Sequence, residues 1–349
     1  MYFGISIATA ATPGMSTAEA LHRVVEFCRF AEELGFDGYH AAEQHFTPYV
    51  VNPDSLQLFT YVAAKTKTLK FCSAVAVLPL HHPIQFAERA ALLDVLSEGR
   101  LSVGIGRGYQ RRAFEGYNVP MEDSAERFDE YLDIVKRAWG PEPFTYDGRY
   151  YKNAEPISVN PKPFQKPHPP IWVAGVSFHS LEKIGRGDYG FIKNFADNLD
   201  TCRQQVEAYR AARRAAGLPA SGDRARIGRQ TCVLDDAKEA NALAETYARE
   251  FQRLFAGAVS KLPVGKSYEH YRSEQYQRDR GLGVAFDYAS YAAFSIFGDP
   301  KAAIDRIAYL RDEIGYNEID FNLGFGGMPT EIVRRVMRTL AEKVMPHFR

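Results

Sequence analysis

Neither sign of charge is in excess in this 349-residue sequence, because 43 lysines and arginines balance 43 aspartates and glutamates. Without a large field of one sign, we expect no binding to nucleic acid or to an anionic membrane surface. No apolar run approaches the length of a membrane span, and the N-terminus MYFGISIATAATPGM lacks the pattern of a signal peptide. These absences favour a cytoplasmic protein.

Cysteines and the common metal or nucleophile motifs are also scarce. The four cysteines, Cys28, Cys72, Cys202 and Cys232, lie far apart within apolar patterns, which is typical of reduced, buried thiols and not of a disulfide framework. The sequence has no H-E-x-x-H motif or comparable spacing, so we expect no metal site. It also has no G-x-S-x-G motif, which leaves a serine nucleophile unsupported.

What the sequence does contain is a repeated alternation of strand-like and helix-like segments, with enough hydrophobic residues, 46%, to form a large core. The predicted strands are YFGISI, DGYHAAE, LKFCSAVAVLP, LSVGIG, PIWVAG, DYGFI, RIGRQTCVL and NEIDFNL. The main predicted helices span 16–34, a dozen residues up to 66, 83–96, ERFDEYLDIVKRAW, 177–185, 200–216, 236–256 and 330–344.

Eight such units predict an α/β fold of the TIM (β/α)8 barrel type. Since no Gly/Ser-rich or Pro-rich linker divides the chain, we expect one domain over 1–349, with insertions near 107–124, 140–170 and 257–300. A hairpin is expected around Asp147 and Gly148. The polar, Tyr-rich segment 257–285 fits either a mobile lid or a partner surface.

In a barrel of this kind the functional residues follow the strands. The segment GIGRGY fails the dinucleotide pattern, because Gly104, Gly106 and Gly108 have the wrong spacing and a loop-like stretch, YQRRAFEGYNVP, follows. One interpretation is that the glycines let the backbone approach a flat ligand while Arg107 binds a phosphate. The other is a tight strand exit with a solvated arginine.

A second candidate anion site lies in AGVSFHSLEKIG, where a strand ends in small residues and a helix begins near Ser177. Simple N-capping by Ser177 is the alternative. His45, after the second strand, could donate to a ligand, move a proton or be purely structural. His81 and His82, just before Pro83, are expected to shape a loop.

Three stretches resemble the bacterial luciferase-like flavin monooxygenases: AAEQHF, SAVAVLPLHHPIQFAERAALLDVLSEGRLSVGIGRGY and EIDFNLGFGGMP. This resemblance implies a TIM barrel with insertions that binds reduced FMN delivered by a separate flavin reductase. It also implies a homodimer formed through the early helices. At the phosphate end of FMN, Arg107 matches an arginine that binds the phosphate. Gly175, Val176 and Ser177 match the segment that completes this phosphate site.

At the ring end, Ala74 and Val75 match a non-prolyl cis peptide under the flavin, and Gly106 stands where luciferase has a cysteine beside the ring. Luciferase has two consecutive histidines after its glutamate, and the first is important for its chemistry. Here Gln44 takes the first place and only His45 is kept. An amide does not exchange protons near pH 7 as an imidazole does, so light emission and the associated aldehyde chemistry are not expected to carry over.

The expected function is therefore a two-component monooxygenase that uses reduced FMN and O2 to insert one oxygen atom into a small organic substrate. Two alternatives stay open. A deazaflavin-dependent hydride-transfer oxidoreductase has the same barrel, but that branch usually lacks an arginine in the glycine turn. A non-catalytic flavin-binding relative is disfavoured by His45 and Arg107, but Gln44 leaves this alternative open.

Overall fold

Eight parallel strand positions form a closed barrel in this computed structural model, which describes residues 1–9, 15–47, 50–194, 198–258, 263–265, 268–269 and 286–349. The strands are β1 (Tyr2–Ile7), β2 (Gly38–Ala41), β3 (Lys70–Ser73), β4 (Ala76–Val77), β5 (Leu101–Gly106), β6 (Phe144–Asp147), β7 (Lys152–Ile157), β8 (Ile171–Ala174), β9 (Gly190–Asn194), β10 (Ala225–Val233), β11 (Ile296–Gly298) and β12 (Glu318–Leu323).

The order around the barrel is β1, β2, β3, β5, β8, β9, β10 and β12, and β12 pairs with β1 to close it. β4 continues β3 and pairs with β5, and β11 pairs with the C-terminal end of β10. This is the TIM barrel expected from the alternating pattern, so the predicted fold class is confirmed. The hairpin of β6 and β7, also expected, forms a separate antiparallel pair.

Helices follow most of the strands and cover the outside of the barrel. They are α1 (Thr17–Glu33), α2 (Ser55–Ala63), α3 (Pro83–Leu96), α4 (Arg111–Gly116), α5 (Ser124–Trp139), α6 (Phe178–Arg186), α7 (Leu199–Ala215), α8 (Ala237–Ala258), α9 (Tyr288–Phe294), α10 (Pro300–Tyr309) and α11 (Thr330–Thr339). Local signals set several boundaries. Ser16 and Glu19 form a capping box at the start of α1, and Pro83 opens α3.

Two local predictions were wrong, and both errors concern short-range structure. The predicted third strand is broken at Ala74 and Val75, whose peptide bond is cis, so it forms β3 and β4. The stretch after Arg107, expected to be a loop, contains α4, because Ala113 and Phe114 are buried there against neighbouring apolar side chains. The predicted insertion at 257–300 lies partly outside the described residues, and its described C-terminal part contains α9 and β11.

The core has one large apolar cluster between barrel and helices, and all four cysteines are buried thiols, as expected. Along the strands, the barrel interior changes character. Large polar and aromatic side chains such as Tyr2, Trp172 and Arg226 meet near the amino ends of the strands. Small side chains predominate near the carboxyl ends of several strands. Across the described residues, no helix is both long enough and apolar enough to cross a membrane.

Candidate functional site

A cavity of about 670 Å³ lies at the carboxyl ends of the barrel strands. Nine residues predicted for the site line it: Gln44, His45, Ala74, Val75, Gly106, Arg107, Gly175, Val176 and Ser177. They come from the ends of β2, β3, β5 and β8, so the barrel brings together four segments that are distant in sequence. Their placement in one cavity is a property of the structure, whereas their functions stay predictions.

One side of the cavity combines a cation with a helix start. Arg107 follows β5, and the segment Gly175 to Ser177 connects β8 to α6. The Ser177 hydroxyl caps α6 by accepting from the backbone N–H of Ser180 at 3.2 Å, and the Ser180 hydroxyl donates to the Ser177 carbonyl at 2.7 Å. A guanidinium and the positive end of a helix both attract anions, so this side suits a phosphate.

Arg107 is held in place by Tyr268, a residue that the sequence analysis did not single out. The guanidinium carbon lies 3.9 Å from the centroid of the Tyr268 ring, in cation–π geometry. The Tyr268 hydroxyl donates to the Gly108 carbonyl at 2.8 Å and lies 2.9 Å from the Ser124 hydroxyl. Burial raises the pKa of the Tyr268 hydroxyl, and the Arg107 cation opposes that effect. Tyr268 therefore stays a neutral hydrogen-bond donor.

The glycines around Arg107 also make room for the neighbouring strand, a packing role that the sequence analysis did not predict. A Cβ on Gly104 would overlap the Ser73 carbonyl, and one on Gly106 would lie 2.6 Å from a Val75 methyl group. The Ser73 hydroxyl donates to the Gly104 carbonyl at 2.7 Å and accepts from the Gly104 N–H at 3.1 Å. The alternating glycines thus let β5 pack closely against the break between β3 and β4.

Glu43, the residue before Gln44, lies at the centre of a buried hydrogen-bond network. Its Oε1 atom is 2.8 Å from His45 Nε2, and its Oε2 atom is 2.8 Å from His81 Nε2. Burial alone raises the pKa of the Glu43 carboxyl, but the two histidines outweigh burial and bring that pKa to about 2. Glu43 is therefore a carboxylate that accepts from both imidazoles.

The second nitrogen of each histidine is also hydrogen-bonded. Arg89 Nη2 donates to His81 Nδ1 at 3.0 Å, which leaves the His81 proton on Nε2. Tyr117 Oη lies 3.1 Å from His45 Nδ1 and donates to it when the His45 proton is on Nε2. His45 is thus oriented from both sides by protein groups. The expectation that His81 only shapes a loop was incomplete, because it bonds the same carboxylate as His45.

Gln44 differs from its histidine neighbours in what it can offer. Its Oε1 atom accepts from Gln110 Nε2 at 2.6 Å. The group that remains for a ligand is the Gln44 amide nitrogen, which is a donor only. Gln44 can therefore hold an oxygen or ring nitrogen in place, but it cannot take up a proton near neutral pH.

Residues 1–318 match the family of luciferase-like monooxygenases. The chain belongs to this family. A curated relative of this chain is the alkanal monooxygenase alpha chain of Photorhabdus laumondii, with 25% identity over 353 residues that cover 99% of this chain and 97% of the relative. The family resemblance inferred from the sequence motifs is confirmed.

Solved structures place the same fold in several enzymes. Monooxygenase RslO1 from Streptomyces bottropensis is 26% identical, with a TM-score of 0.87 and both chains fully covered. The oxygenating constituent of 3,6-diketocamphane monooxygenase from Pseudomonas putida, in complex with FMN, is 21% identical, with a TM-score of 0.80 over 99% of this chain and 98% of that one. An F420-dependent secondary alcohol dehydrogenase is 17% identical, with a TM-score of 0.75 over 100% and 99%. The last two likenesses show the fold alone.

Proposed function

We propose that this luciferase-like monooxygenase uses reduced FMN and O2 to insert one oxygen atom into an organic substrate. The observation that carries the proposal is the joint position of Arg107 and the start of α6 on one side of a cavity of about 670 Å³. Reduced FMN, when bound, supplies the electrons that activate O2. The proposed family function is supported by the match over 1–318.

Residues of the cavity fit FMN at both ends. Arg107, with the backbone and hydroxyl groups of Gly175 to Ser177, would hold the phosphate through charge-assisted hydrogen bonds. Gly106 and the backbone of Ala74 and Val75 would lie against the flat ring. Apolar lining from Phe251, Phe255 and Phe325 would exclude water from the reacting atoms.

His45 and Gln44 are proposed as the catalytic groups at the reactive end. Glu43 holds His45 with its proton on Nε2, while Tyr117, which is 45% exposed, connects His45 Nδ1 towards solvent. His45 can therefore exchange a proton with the exterior through Tyr117. Gln44 would orient a ligand oxygen through its amide nitrogen.

The cofactor assignment is tested by comparing FMN with riboflavin, which lacks the phosphate. We expect Arg107→Ala to weaken FMN binding by about 10- to 100-fold and to leave riboflavin binding nearly unchanged. Fluorescence titration of both flavins measures this, with Arg311→Ala, at an exposed arginine that pairs with Asp312, as the matched control. Equal losses for both flavins, or tight binding of a deazaflavin but not of FMN, would overturn the assignment.

The reaction is tested with chemically reduced FMN, ¹⁸O-labelled O2 and a panel of aldehydes, ketones and aromatic compounds. Mass spectrometry should find one labelled oxygen atom in a product, and the label should be lost in Arg107→Ala. If FMN binds but oxygen is consumed no faster than by free flavin, the chain is a non-catalytic flavin-binding relative.

Two partners belong to the same proposal. A separate flavin reductase would supply the reduced FMN, in keeping with the oxygenating constituent among the solved structures. The chain would form a single barrel domain over 1–349. It would also form a homodimer, because Tyr61 on α2 and Leu92 and Leu96 on α3 expose about half or more of their surface. Sedimentation velocity should show a dimer that Leu92→Lys together with Leu96→Lys converts to monomer.

A further inference from the structure

Three uncharged polar side chains form a row across one wall of the cavity. This wall faces the flavin shelf, which consists of Ala74, Val75 and Gly106 and is proposed to lie against the flavin ring. Ser6 on β1 is paired in register with Asn322 on β12, and Asn322 is paired with Gln230 on β10. All three line the cavity. The strands of the row, β1, β12 and β10, lie across the barrel from β3, β5 and β8. Gly106 is the last residue of β5, and Ala74 and Gly175 directly follow β3 and β8. The row and the flavin shelf therefore face each other across the mouth of the barrel.

Gln230 is the distinctive member of this row. It is only 4% exposed, and neither its Oε1 nor its Nε2 atom has a hydrogen-bond partner among the described residues. Its side chain lies on the same face of β10 as that of Arg226, four residues earlier, which lies over the Trp172 ring inside the barrel. Buried amides are normally hydrogen-bonded, so this one is built to meet a ligand in the cavity.

The surroundings of the row indicate a neutral ligand. Ser6, Asn322 and Gln230 carry no charge, and other charged groups in the cavity have protein partners: Glu43 bonds two histidines, and Lys183 pairs with Asp129. Lys193 on β9 also lines the cavity, but it has the parity of Phe191, whose ring packs against Tyr209 of α7 on the outer face of the strand.

Several apolar side chains also lie near the row. Phe251 and Phe255 of α8 are stacked with an interplanar angle of 8°, and both line the cavity with Leu323 and Phe325 at the end of β12. A molecule seated here would have a mostly apolar skeleton and one oxygen group within reach of an amide. Because a carboxamide both donates and accepts, the oxygen can belong to a carbonyl or to a hydroxyl.

We propose that Ser6, Asn322 and Gln230 form the substrate subsite of this cavity. It binds a neutral, largely apolar molecule through one carbonyl or hydroxyl oxygen, while the opposite wall holds the flavin. This inference rests on the proposed function and specifies its substrate class. A site built to hydrogen-bond an oxygen discriminates strongly against the same skeleton without it, because its own amide is then left unpaired.

Two matched pairs of probes test the subsite: 1-tetralone against tetralin, and 1-naphthol against naphthalene. Equilibrium dialysis, with and without FMN, should show that the protein binds the oxygenated member of a pair about ten-fold more tightly than the hydrocarbon. Gln230→Leu, which keeps the volume similar, should remove this preference and leave hydrocarbon binding within about two-fold. Gln57→Leu, at an exposed position of α2, is the matched control.

Each further outcome bears on the proposal directly. Equal binding of ketone and hydrocarbon, or a preference that survives Gln230→Leu, would overturn it. Selective loss of FMN binding in Gln230→Leu would also overturn it and assign the amide to the flavin. If Gln230→Leu does not fold, Asn322→Leu and Ser6→Ala should each reduce the preference. Failure of the unaltered protein to bind FMN would refute the proposed function, whereas the probe preference is measured without FMN as well.

Discussion

Arg107 depends for its orientation on a residue far away in the chain. Tyr268 covers one face of the guanidinium and donates to the carbonyl of Gly108, 160 residues before it. A stacked guanidinium keeps its N–H groups in one plane for a ligand, since stacking occupies only the face of the ion. The geometry of the proposed phosphate site is therefore set by two segments that fold onto each other.

Removing the Tyr268 ring should weaken binding of the FMN phosphate by Arg107. We expect Tyr268→Leu to reduce FMN affinity by about ten-fold, because the Arg107 cation loses its stacking partner. Riboflavin affinity should change by less than about two-fold. Fluorescence titrations of both flavins check this, with Phe164→Leu, at an exposed aromatic position outside the cavity, as the control. An equal loss for both flavins would show that Tyr268 acts on the ring or on folding instead.

Glu43 predicts a pH-dependent contribution to stability. Its pKa falls from an ordinary 4.5 to about 2 in the folded chain, a difference worth about 3 kcal/mol. A lowered pKa stabilises the fold above pH 4.5, and this contribution is lost as pH falls from 4.5 towards 2. Glu43→Gln should therefore reduce the free energy of unfolding at pH 7, and its difference from the unaltered chain should shrink below pH 4.5.

Urea unfolding at about pH 7, 5 and 3.5 measures this difference. Glu33→Gln, at an exposed position of α1, should show no comparable pH-dependent gap. A gap that is constant over this range would mean that Glu43 acts through packing and not through its charge.

Single residues were predictable where a local pattern accompanied them. The resemblance and the strand ends pointed to Arg107 and His45, and both line the cavity. Tyr268, His81 and Gln230 were missed for a common reason: their roles depend on which distant segments meet, and no spacing in the sequence encodes that. Gln230 in RIGRQTCVL could have been suspected, since a glutamine in a buried strand near the carboxyl edge of a barrel is unusual.

At the scale of elements, the connection between β3 and β4 depends on one hydroxyl. The backbone pairs of β3 with β5 end at Cys72, and those of β4 with β5 begin at Ala76. Between them, the Ser73 hydroxyl bonds both the N–H and the carbonyl of Gly104. A side chain thus replaces the missing rungs of the ladder and satisfies two buried backbone groups.

Ser73→Ala should leave both Gly104 groups unsatisfied and cost about 3 kcal/mol of unfolding free energy. Chemical denaturation measures this cost, and Ser158→Ala, at an exposed position, is the control. A cost similar to that of the control would show that backbone groups elsewhere take over these bonds.

The helices and strands themselves followed the sequence pattern closely, except where packing decides. The helix predicted over 83–96 coincides with α3, because Pro83 and the apolar spacing define both ends. The run LKFCSAVAVLP is apolar except for Lys70 and Ser73, so periodicity could not reveal its break. The short α4 contains two arginines and ends in glycine, which reads as a loop. It is helical because Phe114 packs with Met121 and Tyr268.

For the molecule as a whole, the residues that stabilise the barrel interior and the residues of the proposed site lie at opposite ends of the strands. The count of eight alternating units was enough to predict its closure, but not what fills each end. Near the amino ends of the strands, Arg226 bonds Glu318 at 2.8 Å and lies 4.1 Å from the Trp172 ring centroid. Nearer the middle of the strands, His40 Nδ1 lies 2.9 Å from Asp320. The Arg226–Glu318 ion pair lies at the opposite end of the strands from the cavity.

Substitutions of Arg226 and Arg107, at opposite ends of the barrel, should therefore have opposite effects on unfolding free energy and on FMN affinity. Arg226→Leu leaves the Glu318 carboxylate buried without its partner and should cost about 3–5 kcal/mol of unfolding free energy, whereas Arg226→Leu with Glu318→Leu should cost much less. FMN affinity of the folded variants should stay within about two-fold. Arg107→Ala should do the reverse, lowering FMN affinity while changing unfolding free energy by only about 1 kcal/mol, the value of the lost cation–π contact with Tyr268. Urea unfolding and flavin titration on the same samples measure both quantities. A loss of FMN affinity in the double variant would show that the polar layer also positions the cavity, because the two ends would then be coupled through the strands.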